Sequence, residues 1–100
     1  MTAVGINGLG RIGRLLARRM YERDDARHAL ELVMCNEVAD VETVVHLLKY
    51  DSTHGRFSYP VAFDKVGLQI ADRPTRLSHE TEPSNVLWGD RGFDIVIDCT

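Results

Sequence analysis

The sequence has few cysteines, no excess of positive charge and no long apolar run. It holds two cysteines in 100 residues, too few for the disulfide framework of a small secreted domain. Its formal net charge of −3 argues against nucleic acid or an anionic membrane as the main partner. No apolar run approaches the roughly 20 residues that span a bilayer, and the first residues do not form a signal sequence. We therefore expect a cytoplasmic protein with no nucleic-acid or membrane partner.

Metal-binding spacings are also absent from the sequence. The four histidines and two cysteines never occur in the C-x-x-C or H-x-x-x-H spacings that bring ligands together, so no metal site is predicted. A hydrophobic content of 44% and a charged content of 27% are typical of one globular domain. Cys35 and Cys99 each end an apolar segment, and we expect both to be reduced, buried and structural.

The most informative segment is rich in glycine. Gly8, Gly10 and Gly13 have the G-x-G-x-x-G spacing that opens a dinucleotide-binding βαβ unit. In that unit the first glycine allows a sharp turn after a strand, the second admits a pyrophosphate, and the third lets helix and strand pack closely. The phosphates then lie against free N–H groups at the positive end of the helix dipole.

The segments on either side of these glycines support a strand–turn–helix interpretation. Residues 3–7 form a short apolar run of the strand type. After the glycines, apolar side chains with helical spacing predict the buried face of a helix: Ile12, Leu15, Leu16 and Met20. Arg11, Arg14 and Arg18 recur in the same helix, and we interpret them as a solvated basic stripe. Arg11 is the member closest to the expected phosphate position.

Glu37 is a second candidate for a cofactor contact. It follows a nearly continuous apolar run at residues 30–35, which predicts a strand covered on both faces. In a dinucleotide fold, an acidic residue after the second strand accepts hydrogen bonds from the adenosine ribose. Such a carboxylate would repel a 2′-phosphate, and residues 36–46 contain no Arg or Lys, so NAD is favoured over NADP. A solvent-facing carboxylate without a ligand is the alternative, and it stays open at this point.

The rest of the sequence predicts further helices and strands. Asp40 is a good N-cap for a second amphipathic helix whose apolar face begins at Val41. The other predicted elements are a charged surface loop at 22–27, a local turn at 51–54, a hairpin at 61–63 and 68–71, a strand at 75–78, a short helix at 83–88 and a third core strand at 94–99.

These elements predict an α/β fold, namely a Rossmann-type doubly wound parallel sheet that is incomplete and carries an inserted β-hairpin. Right-handed crossovers would place the second and third core strands on opposite sides of the first. A cofactor would then bind at the carboxyl ends of the strands, where the strand order switches.

Three motifs in combination resemble the N-terminal NAD-binding segment of the glyceraldehyde-3-phosphate dehydrogenase family. They are NGLGRIGR at residues 7–14, YDSTHG at 50–55 and WGD at 88–90. The likeness runs from the first strand to the last residue. Residues 36–40 (NEVAD) and 46–50 (HLLKY) resemble the erythrose-4-phosphate dehydrogenase branch. Some bacterial members that act on glyceraldehyde 3-phosphate also carry Glu at the position of Glu37.

The resemblance implies a set of cofactor contacts. The backbone at Arg11 and Ile12 would meet the pyrophosphate, Glu37 would hold the adenosine ribose, and Thr100 would lie beside the cofactor. Family members often have Arg where this chain has Thr81, so Thr81 is the weakest candidate on the adenine side. With the three glycines included, the predicted cofactor-binding residues are Gly8, Gly10, Arg11, Ile12, Gly13, Glu37, Thr81 and Thr100.

The resemblance also implies chemistry that this chain does not contain. In the family, a cysteine thiolate attacks the substrate aldehyde, a histidine base activates that cysteine, and hydride passes to NAD. Those residues would lie beyond Thr100, and Cys99 is not that cysteine, so no catalytic residue is predicted here. We expect residues 1–100 to be the N-terminal part of an NAD-binding Rossmann domain, without the catalytic domain. The full-length enzyme would be a homotetramer that acts on a sugar-phosphate aldehyde.

Three functions remain open at this stage. The chain is a segment of a glyceraldehyde-3-phosphate dehydrogenase, a segment of an erythrose-4-phosphate dehydrogenase, or a non-catalytic nucleotide-binding module if it is complete at 100 residues. If the chain is a fragment, we expect it to hold at best the adenosine half of NAD. We also expect marginal stability, because the last strand would expose an unpaired edge.

Overall fold

A computed structural model of the chain describes residues 1–51, 55–82, 86, 88 and 92–100. Strands and helices alternate through the first half of the chain, and strands dominate the second half. Within the described ranges the elements are β1 (Thr2–Asn7), α1 (Arg11–Glu22), α2 (Asp24–Ala29), β2 (Leu30–Asn36), α3 (Val41–Lys49), β3 (Tyr50–Asp51), β4 (Gly55–Arg56), β5 (Val61–Phe63), β6 (Gly67–Ile70), β7 (Arg73–Ser78) and β8 (Ile95–Asp98).

Six of these strands form one sheet in the order β5-β6-β7-β2-β1-β8. The four strands β7, β2, β1 and β8 run parallel, whereas β5, β6 and β7 pair in antiparallel fashion at one edge. β2 and β8 flank β1, which confirms the predicted switch in strand order. The predicted fold class is likewise confirmed, as an incomplete Rossmann-type α/β fold with an added hairpin.

The core is one apolar cluster that joins α1 and α3 to the sheet. Its most deeply buried side chains come from β1, β2, α3 and β6, which lie far apart in the sequence. Burial of such side chains contributes about 1.5–3 kcal/mol each before the entropy of ordering them is subtracted. These side chains are Val4, Ile6, Leu32, Val44, Leu48, Leu68 and Ile70.

The predicted hairpin and the strand after it are both present. Asp64 fixes the hairpin turn, because its Oδ1 accepts hydrogen bonds from the N–H groups of Val66 (2.8 Å) and Gly67 (3.1 Å). The second arm begins and ends one residue earlier than predicted. The arm ends at Ile70 because Ala71 adopts φ +56° and so leaves the extended conformation, and it begins at Gly67 because that residue already pairs with Arg76 of β7. The hairpin extends the main sheet and does not form a separate one.

The predicted surface loop at 22–27 is wrong, because α2 occupies most of that segment. Asp24 and Asp25 lie in the first turn of α2, and Arg27 and His28 lie in the last, so each charge suits its end of the helix dipole. Arg27 also forms an ion pair with Asp24 at 2.8 Å, with i, i+3 spacing. A charged run without apolar periodicity can therefore form a short surface helix.

The buried face of α1 also differs from the prediction. Ile12 is 68% exposed and does not belong to that face. Gly13 and Ala17 lie on the buried face, and the lack of a side chain at Gly13 lets the helix start pack against the backbone of Gly8. Arg18 is only 2% exposed, and its guanidinium lies 5.3 Å from the centroid of the Phe57 ring, so it is not part of a solvated stripe. The other buried residues of α1 are Gly13, Ala17, Met20 and Tyr21.

Two predicted elements, the turn at 51–54 and the short helix at 83–88, fall largely outside the described residues. Cys35 is buried and Cys99 is partly buried, and both thiols are free, so the prediction of reduced cysteines is confirmed while full burial holds for Cys35 alone. Within the described ranges, no helix combines the length and apolar content that a membrane crossing would need.

Asp40 caps α3 as predicted, with its Oδ1 accepting a hydrogen bond from the N–H of Thr43 at 2.8 Å. We expect Asp40→Ala to lower the melting temperature by a few degrees, because this helix N–H loses its partner. The Thr43 N–H holds the pKa of Asp40 below its ordinary value. The charged cap therefore stabilises the fold above about pH 4, the unfolded value, and this stabilisation is lost as the pH falls through the lower folded-state pKa.

Thermal melts from pH 7 to pH 2.5 would measure this cap contribution. Asp40→Asn is the matched control, since an asparagine side chain accepts the same hydrogen bond at every pH. The parent should lose more stability than Asp40→Asn in the acid range, and parallel pH profiles would contradict the assignment.

Candidate functional site

A cleft lies where the parallel strands end. Parallel pairing brings Asn7 of β1 level with Asn36 of β2 and Asp98 of β8, and Asn36 level with Ser78 of β7. Ligands of open α/β sheets bind at this edge, beside the strand at which the order switches. The cleft measures about 110 Å³ and is lined by Asn7, Gly8, Asn36, Glu37, Val38, Glu80, Thr81 and Thr100.

Gly8 forms the turn that leaves β1. Its φ of +96° is in a region that side chains disfavour. A Cβ at this position would also lie 3.0 Å from the backbone nitrogen of Thr100 and 3.0 Å from the carbonyl carbon of Cys99. On the other side, the Gly8 N–H donates to the Asn36 carbonyl oxygen at 2.8 Å. The turn is therefore held between the ends of β2 and β8.

Gly13 packs the start of α1 against that turn. A Cβ at Gly13 would lie 2.0 Å from the carbonyl oxygen of Gly8 and 3.4 Å from the Cβ of Cys99. Arg14 adds a contact from the same helix, since its Nη1 donates to the Leu9 carbonyl oxygen at 3.2 Å. The helix start is thus fixed directly above the end of β1.

Gly10 has the opposite environment, because beyond its chain neighbours and its own helix no described atom lies within 4 Å of the position that its Cβ would occupy. Gly10 is the N-cap of α1, and no side chain among the described residues caps this end of the helix. The first N–H groups of the helix therefore face open space, at the positive end of the helix dipole. The residues present fit a dinucleotide here: there is room for a pyrophosphate, and there are donors to hold it.

Glu37 connects the loop after β2 to the glycine turn. Its Oε1 accepts a hydrogen bond from the Leu9 N–H at 2.8 Å, and its Oε2 accepts one from the Ala39 N–H at 3.0 Å. His79 supports the same loop, with its Nδ1 lying 2.9 Å and 2.8 Å from the carbonyl oxygens of Glu37 and Ala39. Each carboxylate oxygen of Glu37 keeps a lone pair for a further donor, such as a sugar hydroxyl.

Thr100 and Thr81 line opposite sides of the cleft, and both are exposed. Thr100 donates to Asp98 Oδ1 through its hydroxyl at 2.7 Å and through its N–H at 3.2 Å. These two hydrogen bonds hold the pKa of Asp98 below its ordinary value, so Asp98 is charged at neutral pH. Thr100 is thereby fixed at the mouth of the cleft by its own strand end.

The structure does not bring all the predicted residues into one cavity. Gly8, Glu37, Thr81 and Thr100 line the cleft, whereas Gly10, Arg11 and Ile12 lie at the start of α1 and do not line it. Arg11 borders a separate cavity of about 470 Å³ between α1 and α3, lined also by Arg14, His46, Leu47, Tyr50, Gly55 and Arg56. Two neighbouring subsites result, one at the helix start and one in the cleft.

Four residues that line the cleft are absent from the predicted site: Asn7, Asn36, Val38 and Glu80. Asn7 and Asn36 are polar residues at the ends of two buried parallel strands, and that placement is a signal the sequence carries. Glu80 carries no such signal, because only the pairing of β7 with β2 places it here.

A comparison with known protein families agrees with this geometry. The family model described as "Glyceraldehyde 3-phosphate dehydrogenase, NAD binding domain" matches residues 2–100, which is nearly the whole chain. NAD is therefore the cofactor of this domain, and dehydrogenases are the enzymes that contain it. The chain belongs to the NAD-binding domain family of the glyceraldehyde 3-phosphate dehydrogenases.

Proposed function

We propose that this chain is the N-terminal part of the NAD-binding Rossmann domain of an enzyme that oxidises a sugar-phosphate aldehyde. The observation that carries the proposal is the open space at Gly10, beside a start of α1 that no described side chain caps and next to the carboxylate of Glu37. A diphosphate and an adjoining ribose need such a pair of subsites.

Each predicted residue has a role in this proposal. The N–H groups around Gly10, Arg11 and Ile12 would bind the pyrophosphate, and Glu37 would accept hydrogen bonds from the adenosine ribose hydroxyls. Thr81 would lie on the adenine side and Thr100 beside the rest of the dinucleotide. Gly8 and Gly13 would act indirectly, by fixing the turn and the helix start.

The catalytic chemistry is proposed to lie elsewhere in a longer enzyme. When bound, NAD would supply the hydride acceptor for oxidation of the aldehyde, and the cysteine that forms the thioester would belong to another part of the enzyme. Cys99 does not fit the role of that cysteine, because burial and the nearby Asp98 raise the pKa of its thiol. We propose glyceraldehyde 3-phosphate as the substrate of that enzyme, with cytoplasmic location and homotetrameric assembly as further parts of the proposal.

Erythrose 4-phosphate is the second candidate substrate. The observation that favours it is Glu at position 37, within the NEVAD segment, together with the HLLKY segment at residues 46–50. Activity of the full-length protein on the two aldehydes, compared by kcat/KM, would decide between them. A non-catalytic nucleotide-binding module is the third candidate, and a full-length protein that binds NAD but oxidises neither aldehyde would favour it.

Cofactor binding by this chain tests the proposal directly. Titration with NADH, followed by calorimetry and by competition with ADP-ribose, should give saturable binding. NADPH should bind roughly tenfold more weakly, equivalent to about 1.4 kcal/mol, because its 2′-phosphate would meet the Glu37 carboxylate. Failure of both cofactors to bind, or equal affinity for the two, would contradict the proposed site.

A further inference from the structure

Asn36 holds a set of hydrogen bonds that no ligand role accounts for. It is 5% exposed and ends β2, at the floor of the cleft. Its Oδ1 accepts from the Ser78 hydroxyl at 2.7 Å and from the Glu80 N–H at 2.9 Å. Its Nδ2 donates to Asn7 Oδ1 and to the Glu80 carbonyl oxygen, both at 3.0 Å.

These four bonds use the full capacity of the amide, which has two acceptor sites and two donors. Asn36 therefore has no group left for a sugar or a base. The two bonds to Glu80 also fix the orientation of the amide, because the Glu80 N–H needs an acceptor while its carbonyl oxygen needs a donor.

The pair of bonds to Glu80 continues the sheet by means of a side chain. The paired register of β2 and β7 ends at Asn36 and Ser78, and the last backbone bond runs from the Glu37 N–H to the Ser78 carbonyl oxygen at 2.9 Å. Beyond that point the Asn36 amide binds the N–H and carbonyl groups of Glu80, much as a neighbouring strand would. The chain that leads from Glu80 to Thr81 is thereby held over the end of β2, opposite Glu37.

Asn36 is also linked to the far side of the cleft. Its partner Asn7 lies at the end of β1, and Asn7 Nδ2 comes within 3.5 Å of Asp98 Oδ1. Asp98 in turn holds Thr100 through two hydrogen bonds. A chain of polar contacts thus crosses the ends of β7, β2, β1 and β8, and its two ends carry Thr81 and Thr100.

We propose that Asn36 is a positioning residue for the cofactor. It holds the wall of the cleft formed by Glu80 and Thr81, alongside the contacts that Ser78 and His79 make with the loop that carries Glu37. It touches no ligand and acts through the backbone of Glu80. This inference rests on the proposed function, because it assumes that the cleft receives the adenosine side of the dinucleotide.

The test compares ADP-ribose binding by the parent chain and by Asn36→Asp. The substitution keeps the size of the side chain but turns a carboxylate oxygen toward the Glu80 carbonyl and Asn7 Oδ1, where a donor is needed. We expect the Kd for ADP-ribose to rise about tenfold. Hydrogen exchange at the Glu80 amide should become faster by a similar factor, because this amide loses its fixed acceptor geometry.

Thr75→Val is the matched control for a general loss of stability. Thr75 is buried and its hydroxyl donates to the Leu32 carbonyl oxygen at 2.8 Å, so it joins the same two strands away from the cleft. This variant should bind ADP-ribose within about twofold of the parent when both are folded. Equal weakening by Thr75→Val and Asn36→Asp would overturn the positioning role, and so would unchanged binding by Asn36→Asp.

If Asn36→Asp does not fold, Ser78→Ala replaces it, since that change removes one hydrogen bond to the amide and leaves the others. A rise of about threefold in Kd, with faster exchange at Glu80, is then expected, and no change in either would overturn the inference. Should the parent chain itself fail to bind ADP-ribose, the proposed function fails and this inference with it. Binding by the parent with no effect of either variant removes the positioning role alone.

Discussion

Replacing Gly13 by alanine is expected to prevent the chain from folding, or to leave it largely unfolded at room temperature. The new Cβ would lie 2.0 Å from the Gly8 carbonyl oxygen, far inside van der Waals contact. Gly8 cannot retreat, because its N–H is bonded to the end of β2 and its other side meets the backbone of Cys99 and Thr100. The clash can be relieved only by lifting the start of α1.

Lifting α1 would expose the core beneath it. Ala17 and Tyr21 follow Gly13 on the buried face, at 1% and 2% exposure. Overpacking a core costs about 1–3 kcal/mol when side chains can adjust, and more is expected here because the opposing atom belongs to the backbone. That is a large share of the about 5–15 kcal/mol that stabilises a typical domain. Urea unfolding followed by circular dichroism would measure the loss, and an unchanged midpoint would contradict the packing described for this helix.

Gly10→Ala is the matched control, three residues earlier in the same motif. Its Cβ would meet no other part of the described structure within 4 Å, and its φ of −68° suits alanine. We expect this variant to fold with stability within about 1 kcal/mol of the parent but to lose most of its NADH binding, because the methyl group would occupy the space proposed for the pyrophosphate. The two substitutions thus separate the glycine that folding needs from the glycine that binding needs.

The main features of the fold follow from local sequence patterns. The apolar runs of β1, β2 and β8 are short and nearly continuous and lie between turn-forming residues, so their type and order could be predicted. The prediction for α2 failed, because its stabilisation comes from charges matched to the helix ends and not from an apolar face. The prediction that Ile12 belongs to the buried face of α1 is wrong, because the small residues Gly13 and Ala17 form the part of that face nearest the helix start.

In the candidate site, too, local sequence patterns identify some residues, whereas other contacts depend on the pairing of distant strands. Gly8 and Gly13 could be chosen from the sequence because their roles are steric and local, and the structure gives each of them a close backbone neighbour. The links from Asn36 to Glu80 and from Asn36 to Asn7 join residues 44 and 29 positions apart. No local pattern encodes such contacts, which exist only once β7, β2 and β1 are paired in register. Burial of Arg18 against Phe57 is non-local for the same reason.

Glu37→Gln is expected to weaken NADH binding by roughly tenfold to a hundredfold, in line with about 1.5–3 kcal/mol for hydrogen bonds to a charged group. In the parent, the carboxylate accepts hydrogen bonds from the N–H groups of both Leu9 and Ala39. The single oxygen of an amide could replace only one of the two carboxylate oxygens. The variant therefore loses a charged acceptor for the ribose hydroxyls and also loosens the glycine turn. Calorimetric titration with NADH and with NADPH measures the two affinities.

The ratio of the NADH and NADPH affinities shows whether weaker binding by Glu37→Gln comes from the loss of the carboxylate charge. Removing the carboxylate removes its repulsion of a 2′-phosphate, so the preference for NADH over NADPH should shrink in Glu37→Gln. Glu82→Gln is the control, because Glu82 is an exposed acid one residue past the cleft, and its loss changes the net charge equally. That control should keep both the affinity and the preference of the parent. If the preference is unchanged in Glu37→Gln, or falls equally in Glu82→Gln, the carboxylate of Glu37 does not face the ribose, and the adenosine side of the cofactor must lie elsewhere on this edge of the sheet.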